Sequence, residues 1–234
     1  MDLHAHTIHS DGELVPAELA RRALVQGYTV LGLSDHADQS NLENCVAAAV
    51  AAAAGLSGHI GLTLLPGVEL THVPPAQIAA LAARARALGA AYVVVHGESP
   101  VEPVAPGTNL AALEAGVDIL AHPGLLTPAE AELAASRGVF LELSVRGGHS
   151  LGNGRVAALA LAAGAPLAVN SDAHAPGDLL TPQLQRTVAL GSGLSAEDWR
   201  RVKAALEALA DRLAARAVRV RAVCKNIQMQ KNYE

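Results

Sequence analysis

The chain begins with a strand candidate, residues 2–6, that runs into His4-Ala5-His6-Thr7-Ile8-His9-Ser10-Asp11. Alternate side chains of a strand point to the same face, so His4 and His6 could bind one metal ion together. Asp11 lies in the loop that follows. Imidazole and carboxylate groups in one site suit Zn, Mn or Fe. This run therefore predicts a metal site at the end of the first strand.

Potential ligands of the same kinds recur at the ends of later strand candidates, which cover residues 29–34, 62–70, 91–96, 117–121, 139–144 and 166–170. These ligands are His36, Glu69, His96, His122, Asp172 and His174. An open doubly wound sheet uses only a few strand ends around one crevice. Here six of seven strand ends contribute, which requires a ring. We therefore predict an α/β fold, a distorted (β/α)7 barrel that resembles a TIM barrel, with the metal site at its C-terminal face.

Helix candidates separate the strands and cover residues 16–26, 42–56, 75–88, 108–115, 127–137, 154–163 and 196–218. Prolines fall in several first turns, where a missing N–H costs little. Glycines follow five of these helices as C-cap signals, at Gly27, Gly89, Gly116, Gly138 and Gly164. The alternation of strands and helices predicts parallel βαβ units. A single barrel domain over residues 1–218 and a C-terminal tail over residues 219–234 are expected.

The composition limits the classes of function that we expect for the chain. The chain has 234 residues and a formal net charge of -5, and its aromatic content is only 2%. Few basic or stacking side chains make nucleic acid an unlikely partner. No stretch reaches the roughly 20 apolar residues of a membrane span, and no signal peptide is recognised before the first motif. Cys45 and Cys224 stand alone, so we expect inert thiols in a reducing, cytoplasmic compartment.

The motifs, in this order, resemble those of the PHP (polymerase and histidinol phosphatase) superfamily, and most closely its stand-alone phosphatase-like members. The match runs from Asp2 to about Leu180 and includes Asp2-Leu3-His4-Ala5-His6-Thr7-Ile8-His9-Ser10-Asp11-Gly12, Ser34-Asp35-His36, Gly67-Val68-Glu69, His122-Pro123 and Ser171-Asp172-Ala173-His174. The resemblance implies a trinuclear site that holds two to three ions of Zn, Mn or Fe. It implies one ion on His4, His6, Glu69 and Asp172, a second on Glu69, His96 and His122, and a third on Asp11, His36 and His174.

Such ions lower the pKa of bound water and supply hydroxide near neutral pH. We therefore expect a metal-dependent phosphatase, a hydrolase acting on a phosphate monoester of a small metabolite, with Glu69, Asp172 and His174 as catalytic residues. By resemblance alone, histidinol phosphate is one candidate substrate. Two alternatives stay open. One is a phosphodiesterase or exonuclease acting on nucleotides, and the other is a noncatalytic metal-binding regulatory module.

Four residues are candidates for substrate binding. Arg146 and His149 follow the strand candidate that lacks a metal ligand, at residues 139–144. Arg146 could bind a phosphate through two parallel hydrogen bonds, and His149 could bind substrate or protonate a leaving oxygen. His72 is expected at the mouth of the site, and Asn170 could add a hydrogen bond either to phosphate or to a group behind a metal ligand.

Neighbouring residues receive simpler interpretations. Asp35 is expected to orient His36 by a hydrogen bond. His9 is expected in a loop role, and His59 is expected to be exposed to solvent. The segment over residues 97–109 is rich in proline and glycine and is predicted to form a long loop beside the site.

Overall fold

The structure is a computed structural model that describes the backbone of residues 1–231 and the side chains of residues 1–219. Its strands are β1 (Val30–Leu33), β2 (His36–Ala37), β3 (Thr63–Leu70), β4 (Tyr92–His96), β5 (Ile119–Ala121), β6 (Phe140–Ser144) and β7 (Leu167–Asn170). Its α-helices are α1 (Pro16–Val25), α2 (Leu42–Leu56), α3 (Pro75–Leu88), α4 (Thr108–Glu114), α5 (Pro128–Arg137), α6 (Asn153–Ala163), α7 (Pro182–Gly191) and α8 (Ala196–Lys231). Short 3-10 helices span His149–Gly152 and Pro176–Asp178.

The strands form one curled parallel sheet in the order β1-β3-β4-β5-β6-β7, with β2 beside the end of β3. The N-terminal segment pairs with both edges of this sheet, through bridges from Asp2 to Leu31 on β1 and from Ala5 to Ala173 just after β7. Strand β2 follows β1 without a helix, and helices connect the later strands in turn, as right-handed crossovers require in a parallel sheet. The predicted α/β, TIM-barrel-like fold is confirmed.

The segment over residues 2–6 is not the regular strand that we predicted. It makes two isolated bridges, because side chains of its neighbours accept amide hydrogen bonds that a strand ladder would use. The Leu3 amide donates to Asn170 Oδ1 at 3.1 Å, and the Ala5 amide donates to Ser34 Oγ at 3.0 Å. The segment still occupies the position of a first strand, so His4 and His6 keep their common face.

Alternate side chains of each strand point outward to the helices and inward to the barrel axis, so the core has an outer and an inner layer. On β4, Val93 and Val95 pack among the surrounding helices, whereas Tyr92 and Val94 belong to a cluster inside the barrel. His96 continues the inner row at the C-terminal end of the strand. The side chains that point into the barrel are therefore polar at its C-terminal end and apolar below that end.

Helix α8 covers the lower end of the barrel. Its residues Leu206, Leu209 and Leu213 are buried in the same cluster as Leu3 and Tyr92. The barrel interior is therefore filled from below by aliphatic side chains, and its open end is the one that carries the polar groups.

A single aromatic side chain fills the space between two strands. Tyr92 is fully buried, and a Cβ atom added at Gly32 on β1 or at Gly67 on β3 would overlap its phenol group. Both positions therefore need glycine as long as the tyrosine is present.

Most helix boundaries agree with the sequence signals. In α5, Thr127 and Glu130 form a reciprocal capping box, Pro128 begins the helix and Gly138 ends it in the left-handed region. Helix α7 was not predicted, although Thr181 caps it and a proline follows, as at the start of α5.

The C-terminal helix extends beyond the predicted limit at residue 218 and reaches Lys231. Residues 232–234 of the predicted tail and the side chain of Cys224 lie outside the described residues, and the domain boundary at residue 218 stays a prediction. Within the described part of the chain, every helix is too short or too polar to cross a bilayer.

Candidate metal centre

The nine predicted ligands meet at the C-terminal end of the barrel. They form four overlapping groups in which one nitrogen or oxygen atom of each member lies within 4.8 Å of the others. The groups are His4, His6 and Glu69; His4, His122 and Asp172; Glu69, His96 and His122; and His6, Asp11, His36 and His174. These groups overlap the three ligand sets expected by resemblance, but Asp172 groups with His4 and His122, and His6 also lies near the third set.

Glu69 lies at the centre of the cluster and is completely buried. Its Oε1 atom is 3.3 Å from His4 Nε2, 3.4 Å from His96 Nδ1 and 3.9 Å from His122 Nε2. Its Oε2 atom is 2.5 Å from His36 Nδ1. The two oxygens of one carboxylate therefore face different groups of imidazoles, as a residue shared by two cations would.

Asp172 supplies the second buried carboxylate. Its Oδ1 atom is 3.2 Å from His6 Nε2 and 3.5 Å from His4 Nε2, and its Oδ2 atom is 3.7 Å from His122 Nε2. Its backbone has a φ of 55°, in the left-handed region. Among the described residues that are not glycine, His72 and His122 also have positive φ values, 52° and 28°. Backbone strain of this kind is concentrated at this one site.

The third ligand set is more open to solvent. Asp11 Oδ1 is 3.5 Å from His36 Nε2 and 3.3 Å from His174 Nε2, and the side chain of Asp11 is 57% exposed. A cation in this set would therefore be more accessible than one beside Glu69, and it would face the solvent side of the cluster.

Divalent metal ions fit the chemistry of this cluster. Buried ring nitrogens of His6, His96 and His122 have no hydrogen-bond partner, and neither do Glu69 Oε1 and Asp172 Oδ1. Leaving so many buried polar atoms unpaired would be costly, because each loses its hydration. Nitrogen and carboxylate ligands that converge in this way are those that Zn, Mn and Fe bind.

The pKa values of the ligand histidines move in two directions. Burial lowers the pKa of His6 to about 4, and burial together with His96 lowers the pKa of His122 well below its ordinary value. Burial raises the pKa of Glu69, but the charges of His36 and His4 outweigh it, so this pKa lies well below its usual range. Neutral imidazoles and ionised carboxylates are the forms that bind metal ions. For His4, His36 and His96, burial lowers the pKa but neighbouring carboxylates outweigh it and raise the pKa, so a cation would have to displace protons from these rings.

A buried carboxylate orients one ligand from behind. Glu142 Oε2 is 2.8 Å from His4 Nδ1 and also accepts a hydrogen bond from Asn170 Nδ2 at 2.9 Å. This arrangement leaves His4 Nε2 facing Glu69 and Asp172. We did not identify Glu142 from the sequence, although a charged residue in the middle of the apolar strand β6 was the available signal.

A cavity of about 260 Å³ opens beside the cluster. It is lined by Asp11, His36, Thr71, His72, His96, Glu102, Arg146, His149, Asp172 and His174. Three of the four predicted substrate-binding residues, His72, Arg146 and His149, are among them. The cavity therefore connects the predicted metal ligands with the predicted substrate contacts.

The expected phosphate contact of Asn170 requires a correction, whereas the alternative role behind a metal ligand agrees with its position. It is completely buried below the cluster, with Oδ1 bonded to the Leu3 amide and Nδ2 bonded to Glu142. Its amide therefore holds the N-terminal segment and the carboxylate behind His4, and it does not line the cavity.

Asp35 also differs from the expectation. Its carboxylate accepts hydrogen bonds from the Thr7 amide and hydroxyl and from Ser10 Oγ, so it holds the loop after the N-terminal segment. The ring of His36 is instead contacted by Thr71 Oγ1, which is 2.7 Å from Nδ1.

The remaining expectations concern residues outside the cluster. His9 and His59 are both exposed, as predicted. Burial raises the pKa of the Cys45 thiol to about 11, which keeps it protonated and unreactive.

Two cavity residues were not predicted as site residues, namely Thr71, which contacts His36, and Glu102. Glu102 lies in the predicted loop between β4 and α4, with Oε2 at 3.0 Å from His96 Nε2 and 3.1 Å from His72 Nε2. Its Oε1 atom is 3.4 Å from His149 Nε2. A glutamate in an irregular loop gave no sequence signal, because the path of the loop decides what it contacts.

Comparison with known proteins gives one extensive relative. The uncharacterized protein MJ1295 of Methanocaldococcus jannaschii is 43% identical over 196 residues, which are 83% of this chain and 90% of that protein. The chain belongs to the same family as MJ1295. No family model matches the chain. A 5'-3' exoribonuclease of Haemophilus influenzae is 39% identical over 70 residues, only 30% of this chain and 23% of that enzyme.

Solved structures confirm the barrel fold of this chain. A chain in the cryo-EM structure of archaeal ribonuclease P with mature tRNA superposes with a TM-score of 0.65, at 16% identity and 90% coverage of both chains. A Xaa-Pro dipeptidase with bound methionine superposes with a TM-score of 0.59, at 12% identity, over 94% of this chain and 75% of that one. At such low identities, the shared property is the barrel.

Proposed function

We propose that this protein is a metal-dependent hydrolase of the PHP type that cleaves a phosphate monoester of a small metabolite. The observation that carries the proposal is the convergence of nine potential ligands, many with unpaired buried atoms, on one side of a cavity that Arg146 also lines. A site with this composition is suited to an anionic substrate once cations occupy it.

His4, His6, Glu69 and Asp172 would hold one ion, and Glu69, His96 and His122 would hold a second. Asp11, His36 and His174 would hold a third. Bound ions would supply Lewis-acid stabilisation of phosphoryl charge and activation of water. The small cavity and the shortage of exposed aromatic side chains favour a compact phosphorylated metabolite over a polymer.

Arg146 is placed to bind the phosphoryl group. Its side chain is 37% exposed in the cavity, and its NH1 atom is 2.8 Å from His174 Nδ1. His174 Nδ1 also lies 2.9 Å from the Asp172 carbonyl oxygen. If His174 binds a cation through Nε2, Nδ1 carries the proton and donates it to that carbonyl. The guanidinium of Arg146 then has no acceptor on His174 and can donate to substrate oxygens.

Arg146→Ala should lower kcat/KM for the phosphate ester by about 10- to 100-fold, because a hydrogen bond to a charged group contributes about 1.5–3 kcal/mol. Metal content should stay unchanged. Arg146→Lys should recover only part of the loss, since a point charge makes no paired hydrogen bonds. Steady-state kinetics with elemental analysis of each variant checks this, and wild-type kinetics in Arg146→Ala would place the phosphate contact elsewhere.

The proposal is tested by measuring metal content and phosphate-ester hydrolysis on the same preparation. Protein purified with metal in the medium should contain two to three divalent ions per chain by elemental analysis. It should release inorganic phosphate from members of a panel of metabolite phosphates, and chelation should stop this release. Fewer than one ion per chain contradicts the multinuclear site. Full metal occupancy without hydrolysis of any ester would support a noncatalytic metal-binding module.

The partial similarity to a 5'-3' exoribonuclease favours a second candidate, a phosphodiesterase or exonuclease acting on nucleotides. The two candidates separate in one assay. Short oligoribonucleotides with a 5'-phosphate should yield mononucleotides if the second is correct, whereas the first predicts phosphate release from small esters and intact oligonucleotides. Hydrolysis of the oligonucleotides alone would replace the first candidate by the second.

A further inference from the structure

The loop between β4 and α4 brings two polar side chains to the metal centre. Ser99 Oγ is 2.6 Å from His149 Nδ1, and Glu102 contacts three histidines through its two oxygens. The base of the loop is held separately, because Glu98 Oε1 accepts hydrogen bonds from the amides of Gly107 and Asn109. Glu102 is therefore presented to the cavity by a braced loop.

His96 lies between two carboxylates. Its Nδ1 atom faces Glu69 Oε1 at 3.4 Å, and its Nε2 atom faces Glu102 Oε2 at 3.0 Å. Only one ring nitrogen of a neutral imidazole can bind a cation, and the other carries a proton that needs an acceptor. Because Nδ1 faces the buried cluster, a cation bound there would leave the proton on Nε2. The nearest carboxylate oxygen to Nε2 in this pair is Glu102 Oε2 at 3.0 Å, although the two groups are not aligned as a hydrogen bond in the structure.

His4 has a similar arrangement with the ring nitrogens exchanged, and there the contact with the outer carboxylate is a hydrogen bond. Its Nε2 atom is 3.3 Å from Glu69 Oε1, and its Nδ1 atom is 2.8 Å from Glu142 Oε2. In both cases one imidazole is placed between Glu69 and an outer carboxylate. Such outer partners fix the orientation of a ligand histidine and increase its affinity for metal.

We propose that Glu102 is a positioning residue that orients His96 for the metal ion shared with Glu69 and His122. Unlike Glu142, which lies within strand β6, Glu102 lies in a loop beside the cavity, and its side chain is 36% exposed. The ordering of this loop is thus coupled to metal binding at one of the ligand sets. The inference rests on the metal site of the proposed function, but it does not depend on the substrate.

The test uses the full-length protein stripped of metal and titrated with Co²⁺ in the presence of a competing chelator. Glu102→Ala should weaken one binding step by about 10- to 100-fold and change the Co²⁺ absorption bands of that step. The number of ions bound at saturation should stay the same. Glu102→Gln should have an intermediate affinity, because its amide oxygen still accepts a hydrogen bond from His96 without the negative charge.

Glu132→Gln is the matched control, since it removes one negative charge from the exposed face of α5 and should bind Co²⁺ like the wild type. Circular dichroism checks that all variants are folded. The proposal is overturned if Glu102→Ala binds every ion like the wild type, weakens all steps equally, or loses one ion at saturation, which would make Glu102 a ligand. Equal loss in Glu102→Gln and Glu102→Ala would also overturn it.

These outcomes are separable from those of the proposed function. A protein that binds Co²⁺ as described but hydrolyses no phosphate ester would refute the phosphoesterase and leave the role of Glu102 intact. An active phosphoesterase whose Glu102→Ala variant binds Co²⁺ like the wild type would refute the role of Glu102 and leave the proposed function intact.

Discussion

Glu69→Gln should abolish hydrolysis and remove metal from two ligand sets at once. Its two carboxylate oxygens face five histidines within 4.0 Å, and Oε1 has no hydrogen-bond partner. An amide keeps the size of the side chain but loses the charge and one of the two acceptor oxygens. Loss of metal-based stabilisation costs several kcal/mol, so we expect a decrease in kcat of roughly 10³-fold or more.

Elemental analysis of Glu69→Gln should show one ion per chain or fewer. His59→Ala is the control, since His59 is an exposed residue in the loop before β3 and should keep both metal content and activity. A Glu69→Gln protein with full metal content would show that another carboxylate joins the ions. Equal loss in both variants would indicate general damage to the fold.

Asp172→Asn should lower kcat by roughly 10²- to 10³-fold and weaken metal binding, because it removes the charge that faces His4, His6 and His122. The ionised form is favoured in the wild type. Burial raises the pKa of Asp172, but the charge of His4 and the close approach of the His6 ring outweigh this effect and bring the pKa below its usual range. Asparagine is chosen because it adopts the left-handed backbone conformation readily.

Asp172→Ala separates the backbone effect from the chemical effect. Alanine at a φ of 55° should destabilise the metal-free protein by about 1–2 kcal/mol relative to Asp172→Asn. Urea denaturation of the two chelator-treated variants measures this difference, and Asp211→Asn on the exposed face of α8 controls for the loss of a surface charge. Equal unfolding free energies for Ala and Asn would mean that the backbone at this position is unstrained.

Local sequence patterns predicted most of the fold. The helix expected over residues 42–56 matches α2, and the strand expected over residues 91–96 matches β4 to within one residue. The N-terminal segment deviates because its amides bond to Ser34 and Asn170, which are distant in sequence. Such contacts exist only after the barrel has closed, so no local pattern could have indicated them.

The ligands were predictable for a related reason. In a parallel barrel, position along a strand determines position in the site, so residue type and strand end suffice to bring nine side chains together. The carboxylates that contact the ligand histidines from outside the cluster cannot be predicted in this way. Glu142 could have been noticed as a buried charge within an apolar strand, whereas Glu102 depends on the path of an irregular loop. The phosphate contact of Asn170 was wrong because its place at a strand end did not reveal that both its amide atoms are bonded below the site.

The contact of Tyr92 with Gly32 and Gly67 has an evolutionary consequence. Three positions on three strands share one volume, so they are not free to vary independently. A relative that carries a small residue at the position of Tyr92 could accept alanine at the position of Gly67, whereas a relative that keeps the tyrosine could not. The position of Gly32 is limited in addition by the Leu3 backbone, which lies 3.0 Å from an added Cβ atom. The positions of Tyr92 and Gly67 should therefore change together among members of this family, even though neither contacts the metal centre.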